Sequence, residues 1–276
     1  CDWSSDVCSS DLVVNNLKWG LDHRLYGAGG SNGGTLSNPA LPNEKPQTFG
    51  AQDFSFDPRH EEFDFMAGGA RFGQTFDDWG NRFLCNIRNP IQHAILPSKQ
   101  LARNPFAAVR TAINDVAVAG DTIPVYRTSP PEPWRVLNSQ RLAADRATFS
   151  PRSETVAAGY FTSACGVTVY RGSAYPRSYY GDVFLGEVSG NLIHRQKLTQ
   201  AGVTFIASRV EENVEFLTST GPFLAEPSKA LLLGRRGLTK PEGFAATIGE
   251  FLAYTFVSAA MLAIAMGYFE IGRAHV

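Results

Sequence analysis

The stretch Thr75–Asn86, TFDDWGNRFLCN, carries the pattern that decides the fold: a turn of glycine beside acidic or amide residues, then a strand of aromatic and apolar residues. Similar stretches are Leu17–Gly27 (LKWGLDHRLYG) and Tyr180–Val188 (YGDVFLGEV). The tryptophans of the first two stretches are 60 residues apart, and Gly181 follows the second tryptophan by 102 residues, or two steps of 51. A repeat of roughly 40–50 residues built from four short strands is typical of a β-propeller blade. The repeat therefore predicts an all-β fold.

The composition agrees with many short strands joined by turns. The chain has 276 residues, enough for one large or two modest domains. Glycine (26 residues), proline (16) and aromatic residues (12%) are plentiful, as in a sheet protein and unlike a helical bundle. The 25 basic and 26 acidic residues nearly cancel, which argues against a partner such as nucleic acid that needs a clustered positive field.

The two ends of the chain are expected to be foreign to it. Residues 1–12 read CDWSSDVCSSDL and residues 270–276 read EIGRAHV. Codons for residues 6–12 can be chosen whose reverse complement translates as EIGRAHV, which indicates a sequencing adapter translated at both ends. Without these ends Cys85 and Cys165 remain, and no CxxC or CxxCH haem motif is present. Two cysteines can pair or stay free, and the sequence does not choose between these states.

Between the repeats, Ile123–Asn138 (IPVYRTSPPEPWRVLN) is predicted to form two strands around a Ser-Pro-Pro-Glu-Pro turn. The reason is that proline fixes φ and disfavours a helix. The aromatic side chains of the motifs, including Trp79, Trp134 and Tyr160, are predicted to lie in the core rather than to form a stacking platform.

Six groups of motifs follow one another in order between residues 13 and 220. They are Asn16–Asp22 with Leu25–Gly34, Asp53–Arg59 with Phe72–Arg82, Phe83–His93, Val125–Pro130 with Pro133–Arg135, Ala158–Thr162 with Gly166–Gly172, and Gly181–Arg195. In this order they resemble the bacterial membrane-bound-dehydrogenase-like (sorbosone-dehydrogenase-like) propeller family. The resemblance implies a propeller of six or so blades, related to the soluble quinoprotein sugar dehydrogenases. At about 50 residues a blade, residues 13–220 would hold about four blades of four-stranded sheet, an incomplete propeller.

The segment after residue 220 differs in character. Phe244–Phe269 has one charged residue, Glu250, in 26, and is predicted to be a hydrophobic, membrane-spanning helix. Basic residues before it would place that side in the cytoplasm, whereas the resemblance implies a periplasmic propeller. Residues 221–269 are therefore expected to come from another gene or reading frame. A membrane partner is expected only if the helix is genuine.

Two histidines are the candidate catalytic residues. His93 and His194 follow equivalent strands of their repeats, each a few residues after an asparagine. In the dehydrogenases that the chain resembles, a histidine base takes a proton from the substrate hydroxyl, and imidazole has a pKa suited to that task. A repeated asparagine–histidine pair also suits a hydrogen bond that braces each blade, and this structural interpretation is favoured.

The resemblance also implies pyrroloquinoline quinone and calcium as cofactors. Arg82, Arg127 and Arg195 are the candidates to hold the carboxylates of the quinone. Asp77 and Asp78 are the candidate calcium ligands, although adjacent acidic residues in a turn more often accept bonds from backbone amides.

Two classes of function therefore remain open. The leading hypothesis is an exported dehydrogenase-like propeller that oxidises a sugar or polyol and passes electrons to a partner. The alternative is a propeller without catalytic activity that binds carbohydrate or protein. No nucleophile elbow and no HExxH motif is present in the sequence, and a hydrolase therefore has little support.

Overall fold

The computed structural model describes residues 14–30, 33–36, 45–96, 112–120, 122–145 and 150–218, together with a few positions at 100–101, 103–104, 106, 239, 241–242, 245, 248–249, 252 and 256. The chain divides into two compact units, residues 1–218 and residues 219–276. The described part of the first unit is built mainly from antiparallel sheets, so the all-β prediction is confirmed at this level.

The first sheet has four antiparallel strands in the order β1-β2-β5-β6. A hairpin of β3 and β4 is inserted between its second and third strands. The strands are β1 (Asn15–Trp19), β2 (Leu25–Ala28), β3 (Gly34–Leu36), β4 (Gln47–Phe49), β5 (Gln52–Asp57) and β6 (Glu62–Ala67).

The second and third sheets repeat this up-and-down order. The second sheet consists of β7 (Gln74–Phe76), β8 (Arg82–Leu84), β9 (Gln92–Ala94) and β10 (Ile113–Asp115). The third consists of β11 (Ala164–Val169), β12 (Val183–Glu187), β13 (Leu192–Ala201) and β14 (Thr204–Arg209), and β15 (Leu217–Thr218) also pairs with β13. Along the chain, two helices come between β10 and β11: α1 (Pro133–Ala144) and α2 (Arg152–Thr155). A 3₁₀ turn (Arg177–Tyr179) precedes β12.

The first strands of the three sheets lie side by side. The backbone N–H of Gln74 on β7 donates to Oδ1 of Asn16 on β1 at 3.1 Å. On the other side of β7, the N–H of Val169 on β11 donates to Oγ1 of Thr75 at 3.3 Å. Because β7 is bonded to both neighbours in this way, the three sheets meet along their first strands.

The second sheet is packed on both faces. Phe83 and Leu84 are adjacent on β8 and are both fully buried. Successive residues of a strand point to opposite faces, so both faces of the sheet are covered. Phe83 joins a core with residues of the third sheet, among them Val183 and Leu185. Leu84 joins a smaller core with Ala28 of the first sheet. The stack is therefore held together by apolar burial on each side of the second sheet.

The two cysteines are free thiols, Cys85 directly after β8 of the second sheet and Cys165 on β11 of the third. Cys85 packs in the core with Leu185 on β12. Cys165 pairs across the strands with Gly186, the neighbour of Leu185, and its side chain contacts that glycine. Opposed residues of an antiparallel pair share a face, and the next residue points the other way. The question that the sequence left open is thus resolved in favour of two free thiols.

The predicted pair of strands around the proline-rich turn is wrong. Residues from Pro133 onward form α1, in which Pro133 occupies the first turn. Proline disfavours the interior of a helix but is favoured at its first position, where its missing N–H has no intrahelical partner and its φ already suits the helix. The prolines therefore mark where the helix begins, and Trp134 lies on it with half of its surface exposed.

Little of the second unit falls within the described residues. Positions 241, 242, 245, 248, 249, 252 and 256 are helical. Glu242 accepts bonds from the backbone N–H and the hydroxyl of Thr239, at 2.8 and 2.7 Å, as in a capping box at the start of a helix. Most of the predicted membrane helix, 244–269, lies outside the described residues. Among those that are described, no helix has the length and apolar character to cross a membrane.

Candidate functional site

A cavity of about 420 Å³ lies between the first and second sheets. Residues that follow or end the first strands, including Asp22, Phe76 and Asn81, line one part of it. The faces of β5, β6 and β9 supply further lining residues, among them Ser55, Asp64 and His93. The volume falls within the range of about 300–1,000 Å³ that is usual for small-molecule sites.

Arg24 organises the charged wall of this cavity. Its guanidinium forms an ion pair with Asp64 at 2.7 Å, and its Nε donates to Oγ of Ser55 at 3.0 Å. Asp57 lies 3.8 Å from a third nitrogen of Arg24. Because β2, β5 and β6 are neighbouring strands, these contacts fasten the hydrogen-bonding groups of the wall in place.

Tyr26 provides a second polar group next to an aromatic surface. Its hydroxyl donates to Oδ2 of Asp22 at 2.8 Å. Its ring packs edge-to-face on Phe76 of β7, with centroids 4.9 Å apart. Burial, followed by the bond to Asp22, raises the pKa of Tyr26, and its hydroxyl therefore stays a donor at neutral pH. Sequence analysis did not single out Arg24 or Tyr26, because the partners of Arg24 and the ring that Tyr26 packs on lie on other strands.

Arg82, a predicted cofactor ligand, lines the cavity but is already held by protein groups. It donates to Asp53 at 3.0 Å and to Gln74 at 3.1 Å, and also to the backbone oxygen of Ala67. Asp53 is fully buried, and its other oxygen accepts three backbone N–H bonds. Burial lowers the pKa of Arg82, and Asp53 opposes that effect. The pair joins the first and second sheets across their interface.

His93, a predicted base, also lines the cavity. Its Nδ1 lies 3.1 Å from Oγ1 of Thr204, and its ring stacks on Phe83 with centroids 5.2 Å apart. Burial lowers the pKa of His93, which favours the neutral imidazole at neutral pH. Where Nδ1 donates to Thr204, Nε2 carries the lone pair that can accept a proton or a hydroxyl hydrogen bond.

The predicted calcium ligands lie in the turn between β7 and β8, beside the cavity. Oδ1 of Asp77 accepts the N–H groups of Trp79 and Asn81 at 2.9 and 2.8 Å, and its Oδ2 accepts the side-chain amide of Asn81 at 2.7 Å. Asp78 instead bonds to Arg171 at 2.5 Å and to the hydroxyl of Tyr180 at 2.6 Å, contacts that lower its pKa. Asp77 therefore accepts backbone amides as the alternative interpretation describes, whereas Asp78 instead links the turn to side chains near the third sheet.

Trp79 is exposed over 83% of its surface, so the prediction that it lies in the core is wrong at this position. Its place at the tip of the turn, with the backbone held by Asp77, leaves the ring no neighbouring sheet to pack against. Trp134 is likewise half exposed on α1, and Tyr160 is partly exposed.

His194 is fully buried and lies in a separate network. Its Nδ1 is 2.6 Å from Oε2 of Glu215, and its Nε2 is 3.0 Å from the side-chain amide of Gln196. Glu215 also accepts bonds from Arg209 at 3.0 Å and from the N–H of Tyr126 at 2.9 Å. Burial opposes ionisation of Glu215, but these partners outweigh it and lower its pKa. His194 is thus held by buried protein groups, although its partners are Glu215 and Gln196 rather than Asn191.

The remaining two predicted arginines lie in other places. Nε of Arg127 donates to the backbone oxygen of Ser129 at 2.7 Å and so holds the turn before α1. Arg195 on β13 forms ion pairs with Asp182 at 3.5 Å and Glu211 at 2.7 Å. The three predicted cofactor arginines therefore lie in three different places and do not meet at one site.

These positions bear on the quinone and calcium that the family resemblance implies. Calcium needs several free oxygen ligands and a quinone needs convergent cations. Both oxygens of Asp77 are occupied by N–H groups, and only Arg82 of the three arginines lines the cavity. The arrangement of the described residues does not fit one site for both groups, and their assignment stays a prediction.

The chain matches the model of a known protein family. A family model described as "Domain of unknown function (DUF7133)" matches residues 7–230. No curated protein and no solved structure matches the chain. Because the matched residues make up about four fifths of the sequence, the chain belongs to the DUF7133 family.

Proposed function

We propose that the three main antiparallel sheets are blades of a β-propeller. The support is their common up-and-down order and the meeting of β1, β7 and β11, since the first strands of propeller blades surround the central axis. Face-to-face packing of the second sheet on both neighbours agrees with this arrangement.

The function that the geometry supports best is binding of a sugar or polyol in the cavity between the first two sheets. The observation that carries the proposal is a wall in which fixed donors and acceptors alternate with aromatic rings. Carboxylates, a guanidinium and a phenol hydroxyl can pair with several hydroxyl groups at once. Phe76 and Tyr26 supply the apolar surface that the C–H groups of such a ligand require.

Oxidation of the same ligand is the second candidate, and His93 is the observation that favours it. A neutral imidazole with one nitrogen bonded to Thr204 can take a proton from a hydroxyl group at the other. The His93 ring is buried against Phe83 and Phe205 on the face of the second sheet that is turned to the third, so the hydroxyl group would have to reach it there. An electron acceptor would have to bind beside it, and the residues discussed above supply no site for one.

Titration calorimetry of the chain with a panel of aldoses and polyols tests the binding proposal. We expect saturable binding of at least one of them. Asp22→Asn removes a charged acceptor from the wall, and a hydrogen bond to a charged group contributes about 1.5–3 kcal/mol, so affinity should fall roughly tenfold to a hundredfold.

Asp115→Asn is the matched control. Asp115 is an exposed aspartate on β10 that is bonded to Gln92 and Asn89 and is not among the residues lining the cavity, so this variant should bind like the parent protein. Absence of binding across the panel, or equal loss in both variants, would contradict the proposal.

For the second candidate, the chain is mixed with quinone, calcium and the bound sugar, and reduction of a dye is followed. Activity that disappears in His93→Gln while sugar binding remains would support oxidation. Binding without dye reduction would leave carbohydrate binding as the function.

A further inference from the structure

The outer face of the first sheet, which points away from the second sheet, is apolar. Leu17 and Trp19 on β1 lie on it with 56% and 63% of their surfaces exposed. Trp19 pairs with Leu25 on β2, and Tyr26, the next residue, points into the cavity on the opposite face. Phenylalanines continue the outer face over β5 and β6: Phe54, Phe56, Phe63 and Phe65.

These phenylalanines form one continuous aromatic layer. The rings of Phe54 and Phe63 stack with centroids 4.8 Å apart, and Phe63 meets Phe65 at 5.2 Å. Phe49 of the inserted hairpin stacks on Phe65 at 5.0 Å and so covers one end of the layer. The end that carries Trp19 is left exposed.

The outer face of the third sheet carries a second aromatic layer. Phe184 on β12 lies opposite the core face that its neighbours Val183 and Leu185 occupy. Around it are Tyr170, Tyr175, Tyr179 and Phe216, each with its ring centroid 5.0–6.5 Å from that of Phe184. Tyr175 is 45% exposed. Each outermost sheet of the stack thus has an apolar face turned away from the second sheet.

We propose that the outer face of the first sheet of one copy packs on the outer face of the third sheet of a second copy, and that two such contacts close a pair. The inference builds on the proposal that the sheets are blades. Two copies contribute six sheets, within the range of about four to eight blades that closed propellers contain. Two different faces on one chain make this a head-to-tail contact that a two-membered ring can close.

The area of the two faces is sufficient for a stable pair. A sheet of four strands is about 19 Å wide, and five or six residues span about 18 Å, so each face offers about 340 Å². A closed pair buries four such faces, about 1,400 Å², close to the roughly 1,600 Å² of a standard stable interface.

The chemistry of the faces also suits burial against each other. The chain already packs its sheets face to face on both sides of the second sheet, with first strands adjacent. On the outer face of the third sheet Lys197 is exposed, whereas Arg195 lies over the ring of Tyr179 at 4.2 Å and is paired with Asp182 and Glu211. Closing the contact therefore buries no unpaired charge at Arg195.

Light scattering coupled to size-exclusion chromatography tests the proposal on the full chain. We expect a mass twice the 30.0 kDa of one chain. Trp19→Asp on one face and Tyr175→Asp on the other should each give the mass of a single chain. Trp79→Asp, which replaces an exposed aromatic residue on neither face, should remain a pair.

A mixture of the two single-chain variants distinguishes the contact proposed here from a symmetric one. Trp19→Asp keeps an intact third-sheet face and Tyr175→Asp keeps an intact first-sheet face, so their mixture should recover a weaker pair through one contact. Circular dichroism checks that each variant is folded, and Leu17→Asp replaces Trp19→Asp should the latter fail to fold.

Three results would overturn the inference. They are a parent protein with the mass of one chain, a parent protein larger than a pair, and a pair that persists in Tyr175→Asp while Trp19→Asp abolishes it. The first would leave the blade proposal intact, because that proposal concerns the order of sheets within one chain.

Discussion

Asp53→Asn is expected to destabilise the first unit strongly. The carboxylate of Asp53 is fully buried, with Oδ2 3.0 Å from the guanidinium of Arg82 and Oδ1 bonded to the N–H groups of Gly29, Gly69 and Ala70 at 2.9–3.1 Å. The amide oxygen of asparagine can keep the three backbone bonds. Its NH₂ group then faces Arg82, and a buried guanidinium loses its counter-charge.

The expected cost follows from the burial of both partners. Breaking a buried ion pair by removing one charge costs about 3–5 kcal/mol, because the other charge stays buried and uncompensated. The total free energy of unfolding of a domain is only about 5–15 kcal/mol. Asp53→Asn should therefore remove a large part of it, whereas Asp57→Asn, at a partly exposed carboxylate, should cost much less.

Urea unfolding followed by circular dichroism measures both variants, together with Arg82→Met and the double variant Asp53→Asn/Arg82→Met. Because the two side chains are in contact, the double variant should be more stable than the sum of the single effects implies, by about 0.5–3 kcal/mol. A cost below about 1 kcal/mol for Asp53→Asn, or additive single effects, would refute the reasoning.

Three further predictions concern other parts of the first unit. The lowered pKa of Glu215 contributes stability that is present above its ordinary pKa of 4.5 and is lost as pH falls through the lower folded value. The free energy of unfolding measured with urea should therefore fall less steeply at acid pH in Glu215→Gln than in the parent protein. Burial raises the pKa of Cys85 to about 12, so peptide mapping after iodoacetamide treatment should find Cys85 alkylated only when urea is added. Gly166→Ala should cost about 1–2 kcal/mol, because φ is +63° at the bulge of β11, whereas Gly50→Ala, at a glycine with open space, should cost little.

Each of these has a result that contradicts it. If the free energy of unfolding falls equally steeply at acid pH in the parent protein and in Glu215→Gln, the folded protein does not stabilise the ionised carboxylate. Labelling of Cys85 in the folded protein would show that the core opens on the time scale of the reaction. Equal stability of the two glycine variants would remove the case for strain at the bulge.

The strands of the repeat were predictable because their signal is local. Thr75–Asn86 contains both strands of a hairpin and the Asp-Asp-Trp-Gly turn between them, and β7 and β8 flank that turn in the structure. The equivalence of His93 and His194 was also readable, since each lies on the third strand of its sheet. Their roles were not, because Thr204 and Glu215 lie 111 and 21 residues away along the chain.

The site was less predictable than the strands for the same reason. Arg24, Tyr26 and Asp64 look like ordinary residues of a hairpin until β2 and β6 are placed around β5. The first helix was missed because a proline run was taken as a barrier to helix formation, when its last member, Pro133, begins the helix. Local patterns thus predicted strands, whereas the cavity depends on contacts between distant segments.

The bridge between Ala117 and Ala207 has a consequence for how the chain is made. The segment that follows β10 also pairs with the third sheet. Ala117 lies parallel to Ala207 at the edge of β14, and Ala207 exchanges backbone hydrogen bonds with Val116 and Val118. The partners are 90 residues apart. At a synthesis rate of about 5–20 residues per second, the earlier segment waits roughly 5–20 s on the ribosome for the strand that completes it. The third sheet therefore closes late, and until then an unpaired backbone edge is open to chaperones or to another nascent chain.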